Sequence, residues 1–228
     1  MQLLKIISCL LLQVLAVGSA QSQNYPDRPL RLIVPYPAGG TTDILVRLLQ
    51  KPTSELFNQQ VVIENRSGGG SVIGTNAVAQ AAPDGYTVLG TDLAILVNHS
   101  LMPKLPYDTL KDFRGVTMLA RAPLLLLIHP SVPANTIEEF VTLLKQNPGK
   151  YNFGSGGHGT STHIAGEMFL RAADVKAEHI PFQGVTPAMN ALLGGQVQFY
   201  FGGTTTALQH LQTGWLKALA ITGDAVNA

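Results

Sequence analysis

The strongest constraint on this chain is a unit that it uses repeatedly: a short apolar strand, a glycine-rich turn, then a helix. Leu30 to Tyr36 reads as a β-branched, apolar strand ending in Pro37-Ala38-Gly39-Gly40. A helical pattern follows from Thr42 to Phe57, with Ile44, Leu45, Leu48, Leu49 and Leu56 as its apolar stripe. Gln60 to Glu64 is a second strand, closed by Ser67-Gly68-Gly69-Gly70, and a small-residue helix runs from Val72 to Ala81. Pro83-Asp84-Gly85 marks a turn before a third strand, Tyr86 to Gly90. Strands and helices that alternate in this way give a parallel sheet with helical crossovers.

Asn98 to Arg114, with Pro103 and Pro106, reads as an irregular connection. Val116 to Ala120 and Leu124 to His129 read as strands flanking Pro123, and this change of texture predicts a lobe boundary. The unit then resumes. Thr136-Ile137-Glu138-Glu139 is a capping box opening a helix to Gln146, which Pro148-Gly149 stops. Tyr151 to Phe153 is a strand, Gly154 to Thr160 a glycine-rich loop, and Ser161 to Ala172 a helix. Strand Glu178–Phe182, helix Pro187–Leu193, strand Val197–Phe201, helix Thr205–Gln212 and strand Leu216–Thr222 complete the pattern.

The N-terminus has the three parts of a secretory signal: Lys5, the apolar run Ile6 to Val17, and the small residues Gly18-Ser19-Ala20. That run is shorter than the roughly 20 apolar residues of a membrane span. Cleavage is expected after Ala20, giving a soluble mature chain from Gln21. A lipoprotein signal around Ile6-Ile7-Ser8-Cys9 is the weaker reading, because apolar residues continue past Cys9. Cys9 is the single cysteine, so the mature chain has no disulfide, no thiolate nucleophile and no cysteine–zinc site. Fifteen Lys and Arg against fourteen Asp and Glu, scattered along the chain, leave no basic surface for nucleic acid.

Two loops share one physical design. One is Pro37-Ala38-Gly39-Gly40-Thr41-Thr42-Asp43, and the other runs from Gly154 through Ser155, Gly156, His158, Gly159, Thr160 and Ser161 to Thr162. Helix starts leave N–H groups unpaired and carry a partial positive charge, so they receive anions. Ordinary capping by Thr42, Asp43 and Ser161 accounts for the same residues, and spacing does not choose between the readings. Neither loop is a P-loop or a GxGxxG turn. Asp43 has the wrong sign for an anion site and is expected to turn its carboxylate onto backbone amides.

His158 and His163 lie five residues apart, with Glu167 four further on, but no third ligand at metal spacing accompanies them, so no metal is expected. His158, among glycines, is the better ligand contact, and His163 a packing or hydrogen-bonding residue. Gly154-Ser155-Gly156 is not a GxSxG elbow and no acid–base pair is evident, so a binding protein without cofactor is preferred to an enzyme. Trp215 reads as a lobe-packing residue.

At these loops the chain resembles a known family. Tyr25-Pro26-Asp27-Arg28-Pro29-Leu30-Arg31-Leu32-Ile33-Val34-Pro35-Tyr36 and the Pro37–Asp43 loop are similar to the opening of the Bug receptors, the periplasmic solute receptors of tripartite tricarboxylate transporters. Val62-Ile63-Glu64-Asn65-Arg66, Ala82-Pro83-Asp84-Gly85-Tyr86-Thr87, Lys104-Leu105-Pro106-Tyr107-Asp108, Gly159-Thr160-Ser161-Thr162-His163-Ile164-Ala165-Gly166-Glu167 and Leu193-Gly194-Gly195-Gln196-Val197 match in the same order.

The resemblance implies an α/β, two-lobed periplasmic-binding-protein (type II, Venus-flytrap) architecture that holds a dicarboxylate, tricarboxylate, amino acid or aromatic acid without an obligatory ion pair. It implies a signal peptide at 1–20, a first lobe at 25–122 to which 216–228 begins to return, and a second lobe at 123–215. Family members continue past the position of Ala228, so the first lobe is expected to be incomplete. Carried over by position, the Pro37–Asp43 loop, Thr91 and Asp92, the stretch Ser155–His163, and Phe182, Gly184 and Pro187 form the pocket. Asp92 and His158 stand where the family often has Asn, and Gly202-Gly203 where an Asp-Asn pair is usual. A monomer in the periplasm, serving membrane transporter subunits, is the implied setting. A sensing partner of a signalling receptor, a non-binding remnant and a hydrolase are the alternatives.

Overall fold

The computed structural model describes residues 25–223, so the signal segment lies outside it. The first sheet is three-stranded and parallel, in the order β2-β1-β3: β1 (Leu30–Val34), β2 (Val61–Asn65) and β3 (Thr87–Leu89). Leu30 stands opposite Val61, and Arg31 opposite Thr87. Helix α1 (Thr41–Phe57) joins β1 to β2, and α2 (Val72–Ala79) joins β2 to β3. Gly74 lets α2 approach β1: a Cβ there would come within 2.7 Å of the Pro35 Cα.

The second sheet has five strands in the order β6-β5-β7-β4-β8. They are β4 (Leu124–Ile128), β5 (Asn152–Ser155), β6 (Glu178–Pro181), β7 (Phe199–Gly203) and β8 (Lys217–Ile221). β5 runs parallel to β6 and β7, whereas β4 is antiparallel to both β7 and β8. Helices α4 (Ile137–Gln146), α5 (Ser161–Ala173), α6 (Val185–Leu193) and α7 (Thr204–Gln212) make the connections.

Alternation along β4 and β7 sorts this lobe into two cores. Leu126, Ile128, Phe199 and Phe201 join Phe140 and Leu144 of α4, Phe153 of β5 and Leu170 of α5. Leu127 and Tyr200 point the other way, to Ala188, Met189 and Leu192 of α6 and Ala207 of α7. The sheet is therefore covered on both faces, as its near-continuous apolar strands require. The first lobe has a much smaller cluster, Val34, Tyr36 and Val46.

Several sequence expectations are corrected. Of the stretch 216–228 expected to begin a return to the first lobe, β8 pairs along β4, with Leu125 opposite Ile221, at the open antiparallel edge of the second sheet, and 224–228 lie outside the described residues. Val116 to Ala120 forms no strand. Val116 and Met118 are exposed, and no neighbouring strand supplies the hydrogen bonds. Ala94–Leu101, expected to be irregular from Asn98, is a helix, α3, whose Ala94 N–H donates to Asp92 Oδ1 at 3.0 Å. The stripe of α1 is not a buried face: Leu48, Leu49 and Leu56 are exposed, and only Asp43 and Val46 of the helix are buried. Trp215 is exposed, stacked on His210, and packs no lobe interface.

The capping box of α4 forms with one change of partner. Thr136 Oγ1 accepts from Glu139 N–H at 3.2 Å, while Glu139 Oε2 accepts from Asn135 N–H rather than from Thr136.

The tightest joint in the second lobe is between α5 and β5. A Cβ on Gly166 would fall 2.3 Å from the Phe153 ring, whose side chain is fully buried. Overpacking a filled core costs about 1–3 kcal/mol, more than the helix propensity that alanine adds. Gly166→Ala is expected to lower the denaturant midpoint of unfolding, whereas Gly115→Ala, with open space around its Cβ and no positive φ, is expected to lower it less. Equilibrium denaturation of both variants checks this.

Candidate functional site

The two sheets meet at the carboxyl ends of their strands, where open α/β folds place their ligands. A cavity of about 440 Å³ lies between them. Pro35 to Pro37, the loop Ser67 to Val72 and Met102 line it from the first lobe; Gly156 to His158 and Pro181 to Gly184 line it from the second. None of these side chains is a lysine, arginine, aspartate or glutamate.

Of the residues expected from the sequence, Pro37, Gly156, His158, Phe182 and Gly184 line this cavity. The others serve it indirectly or lie outside its walls. Gly39, Gly40 and Thr41 pack onto the second lobe. A Cβ on Gly40 would come within 2.7 Å of Val185, and one on Gly203 within 2.2 Å of Thr41 Oγ1. Ala38, Thr42, Thr91 and Pro187 are not in the cavity wall.

Asp43 is buried at the first turn of α1, and Gly40, not Asp43, is the N-cap. Its Oδ2 accepts from Gly39 N–H and from Arg47, both at 2.9 Å, and its Oδ1 accepts from Asn65 Nδ2 at 2.8 Å. Burial alone would raise this carboxyl, but the bonds from Arg47, Gly39 and Asn65 together hold it below the ordinary value. The expectation that Asp43 turns onto backbone amide is met at Gly39.

Asp92 ties the lobes together. Oδ1 accepts from the Tyr36 hydroxyl and Oδ2 from Ser161 Oγ of the second lobe at 2.8 Å. Burial, followed by the charge and hydrogen bond of Asp92, pushes the Tyr36 phenol well above its usual range.

The second glycine-rich loop consumes its own amides. Gly156 N–H donates to Thr162 Oγ1, Gly157 N–H to Ser155 Oγ, and Gly159 N–H to His163 Nδ1. Thr160, rather than Ser161, caps α5, its Oγ1 accepting from His163 N–H. Two other helix starts border the cavity; the first amides of α2, Val72 and Ile73, donate to the Gly69 and Gly68 carbonyls, so the open one is α6. Ser71 precedes α2 with φ +82° and Gly184 precedes α6 with φ +120°, and neither helix has a side-chain cap. Pro187 occupies the first turn of α6 and has no N–H to satisfy, leaving the Val185 and Thr186 amides as its unpaired donors.

The loop also joins three imidazoles. His179, on β6 opposite Phe153, stands 4.1 Å ring to ring from His163 and 5.1 Å from His158. The sequence reading found no third imidazole because His179 lies sixteen residues beyond His163, and only the β5–β6 register brings it back; alternation along β6 was the available signal. Burial lowers both partly buried rings. His163 titrates below its ordinary value, and His179 is brought down to about 4 by burial and then by the neighbouring His163 and His158. Ser155 Oγ lies 2.6 Å from His179 Nε2, a pair that sequence spacing did not reveal. Ser155 is fully buried and its hydroxyl is shared with Gly157, so this is an orienting bond and not an exposed nucleophile.

A cleft between two α/β lobes, walled by uncapped helix starts and free of charged side chains, defines a two-lobed binding protein of the periplasmic type II class. The comparisons agree. The model of the tripartite tricarboxylate transporter family receptor (TctC) matches residues 45–228. Protein BugT of Bordetella pertussis is 35% identical over 222 residues, covering 96% of this chain and 68% of the relative. The solved structure of Rhodopseudomonas palustris Rpa4515 with adipate superposes with a TM-score of 0.84 at 31% identity, over 88% of this chain and 67% of that one. MatC from the same organism, with bound malate, gives 0.81 at 31% identity over 88% and 68%. The chain belongs to the tripartite tricarboxylate transporter receptor family, whose structural relatives are solute-binding proteins and not enzymes. It spans 59% of a Pseudomonas relative and 64% of another from Bordetella pertussis.

Asp43→Asn keeps the shape of the side chain but removes the charge facing Arg47. A loss of about 1–3 kcal/mol is expected. The folded-state carboxyl lies below the unfolded value of 3.8, so the stabilisation is complete above that pH and fades as pH falls through and below it. The gap in melting temperature between the native chain and Asp43→Asn should therefore be full at neutral pH and close in acid, as pH-resolved thermal unfolding would record.

Proposed function

We propose that this chain is a periplasmic receptor that captures a small dicarboxylate in the interlobe cleft for a tripartite tricarboxylate transporter. One observation carries the reading: the α6 start after Gly184, whose first amides are free, and the glycine-rich turn before α2 stand in the wall of a cavity of about 440 Å³ that holds no formal charge. Helix-start amides bind carboxylates through oriented dipoles. A site built from them needs no arginine, and a second carboxylate meets no repelling side chain. The cavity falls within the roughly 300–1,000 Å³ range of small-molecule pockets. Family relatives carrying adipate and malate support a four- to six-carbon diacid as the class of solute.

His158 and Gln183 are the polar cavity-lining side chains at exposed positions of the second lobe. They are assigned to the outer end of the solute, and the helix starts to its inner end. Export behind the N-terminal signal and delivery to membrane subunits complete the proposed role. Among the described residues, no helix is long and apolar enough to cross a membrane.

A thermal-shift panel of diacids tests the reading. A bound diacid at about 100 times its Kd stabilises the fold by roughly 2.7 kcal/mol, so at least one should raise the melting temperature in the millimolar range. Gly184→Ala, strained at φ +120° and pressed against Pro37, should weaken that diacid about tenfold or more, equivalent to 1.4 kcal/mol. Absence of a shift with every diacid in the panel would refute the proposal.

A further inference from the structure

Of the imidazole trio only His158 lines the cleft; His163 and His179 have no part in solute binding there. The three rings come from three elements: His158 from the loop after β5, His163 from the first turn of α5, and His179 from the middle of β6. One potential ligand atom from each lies within 4.8 Å of the other two. We propose that His158, His163 and His179 form a binding site for a divalent late first-row transition-metal ion, of the zinc, nickel or copper class.

Donor type and geometry both point to this class. Imidazole nitrogen suits zinc, copper and nickel, while magnesium and calcium prefer oxygen. Metal–nitrogen bonds of about 2.0–2.1 Å at tetrahedral angles set ligand nitrogens roughly 3.4 Å apart, so the trio must close by at most about 1.5 Å. Two of the rings are already stacked, and the third can move. His158 is exposed, between Gly157 at φ +123° and Gly159 at φ +75°, and its side chain can change rotamer without moving α5 or the sheet.

The outer contacts of a metal site are also present. Metal-bound imidazoles are held by a hydrogen bond on the second ring nitrogen. Ser155 Oγ, fixed by Gly157 N–H, supplies this for His179 at 2.6 Å. For His163 a metal at Nδ1 replaces the bond from Gly159 N–H, and Nε2–H then faces Glu167 Oε1, 3.7 Å away and one helical turn along α5, as its outer partner; water fills the fourth position. Phe153 backs the cluster, its ring 4.8 Å from that of His179, and gives the site an apolar floor. Burial favours the neutral form of His163 and His179, the form that donates to a metal. The competing account is an imidazole stack that serves only to pack over Phe153.

The two accounts separate by titrating the full chain, stripped with chelator and free of any histidine tag, with Zn²⁺ by calorimetry and with Co²⁺ by visible absorption. One ion per chain is expected, with a saturable Co²⁺ spectrum. His158→Ala, at an exposed loop position that the fold does not need, should reduce affinity by at least about tenfold while leaving the metal-free melting temperature unchanged. His163→Gln and His179→Gln should do the same to affinity. His210→Ala, an imidazole stacked on Trp215 and outside the trio, should leave it unaltered. Failure to bind either ion in the micromolar range, or binding that survives His158→Ala and His163→Gln alike, would overturn the site. Neither result bears on diacid binding, which the metal-free chain is expected to retain.

Discussion

Tyr36, Asp92 and Ser161 form a chain of hydrogen bonds that crosses from one sheet to the other, and the cleft depends on it. Asp92 follows β3 and reaches back to the end of β1 through Tyr36, forward to α3 through the Ala94 amide, and across to the capped start of α5 through Ser161. A single carboxylate thereby links the ends of β1 and β3, the start of α3 and, across the cleft, the start of α5. Close backbone approaches surround this anchor: Gly40 against Val185, Gly184 against Pro37 and Gly203 against Thr41. Side chains at those glycines would hold the lobes apart, so the glycine-rich turns serve lobe contact as much as ligand approach.

The strand–turn–helix rhythm carried most of the fold in the sequence, because each strand is a compact apolar run bounded by Gly or Pro. Pairing was less legible. Nothing local in Lys217–Ile221 says that it will lie along β4, since both sheets offered it an edge. Val116 to Ala120 has strand-like composition but no partner, and composition cannot register a missing partner. The stripe of α1 has helical spacing, yet Leu48 and Leu56 face outward, because periodicity reports a face and not what covers it.

The site was legible at the level of loops and less so at the level of atoms. A glycine-rich turn before a helix looks like an anion cradle whether its amides are open or already bonded. In the loop after β5 they are largely bonded, to Ser155, Thr162 and His163. The turn Ser67-Gly68-Gly69-Gly70, read only as a strand break, supplies instead one of the open cavity walls. His179 escaped notice for a related reason: its neighbours in space come through sheet register, which one strand read alone does not reveal. The chain's family was legible throughout, since its motifs lie in order along nearly all the described length.

The antiparallel seam between β4 and β8 bears on how the protein is made. The first sheet can close once residues 30–89 have emerged from the ribosome, since all three strands and both crossovers lie within that stretch. β4 has no such local partner. Leu125 pairs with Gly202 and Ile221, so the uncharged run Leu124-Leu125-Leu126-Leu127-Ile128 stays an unpaired apolar strand until β7 and β8 have appeared. Bare edges of this kind invite pairing with other chains. During synthesis, that pentapeptide is the segment of the described chain most in need of a chaperone.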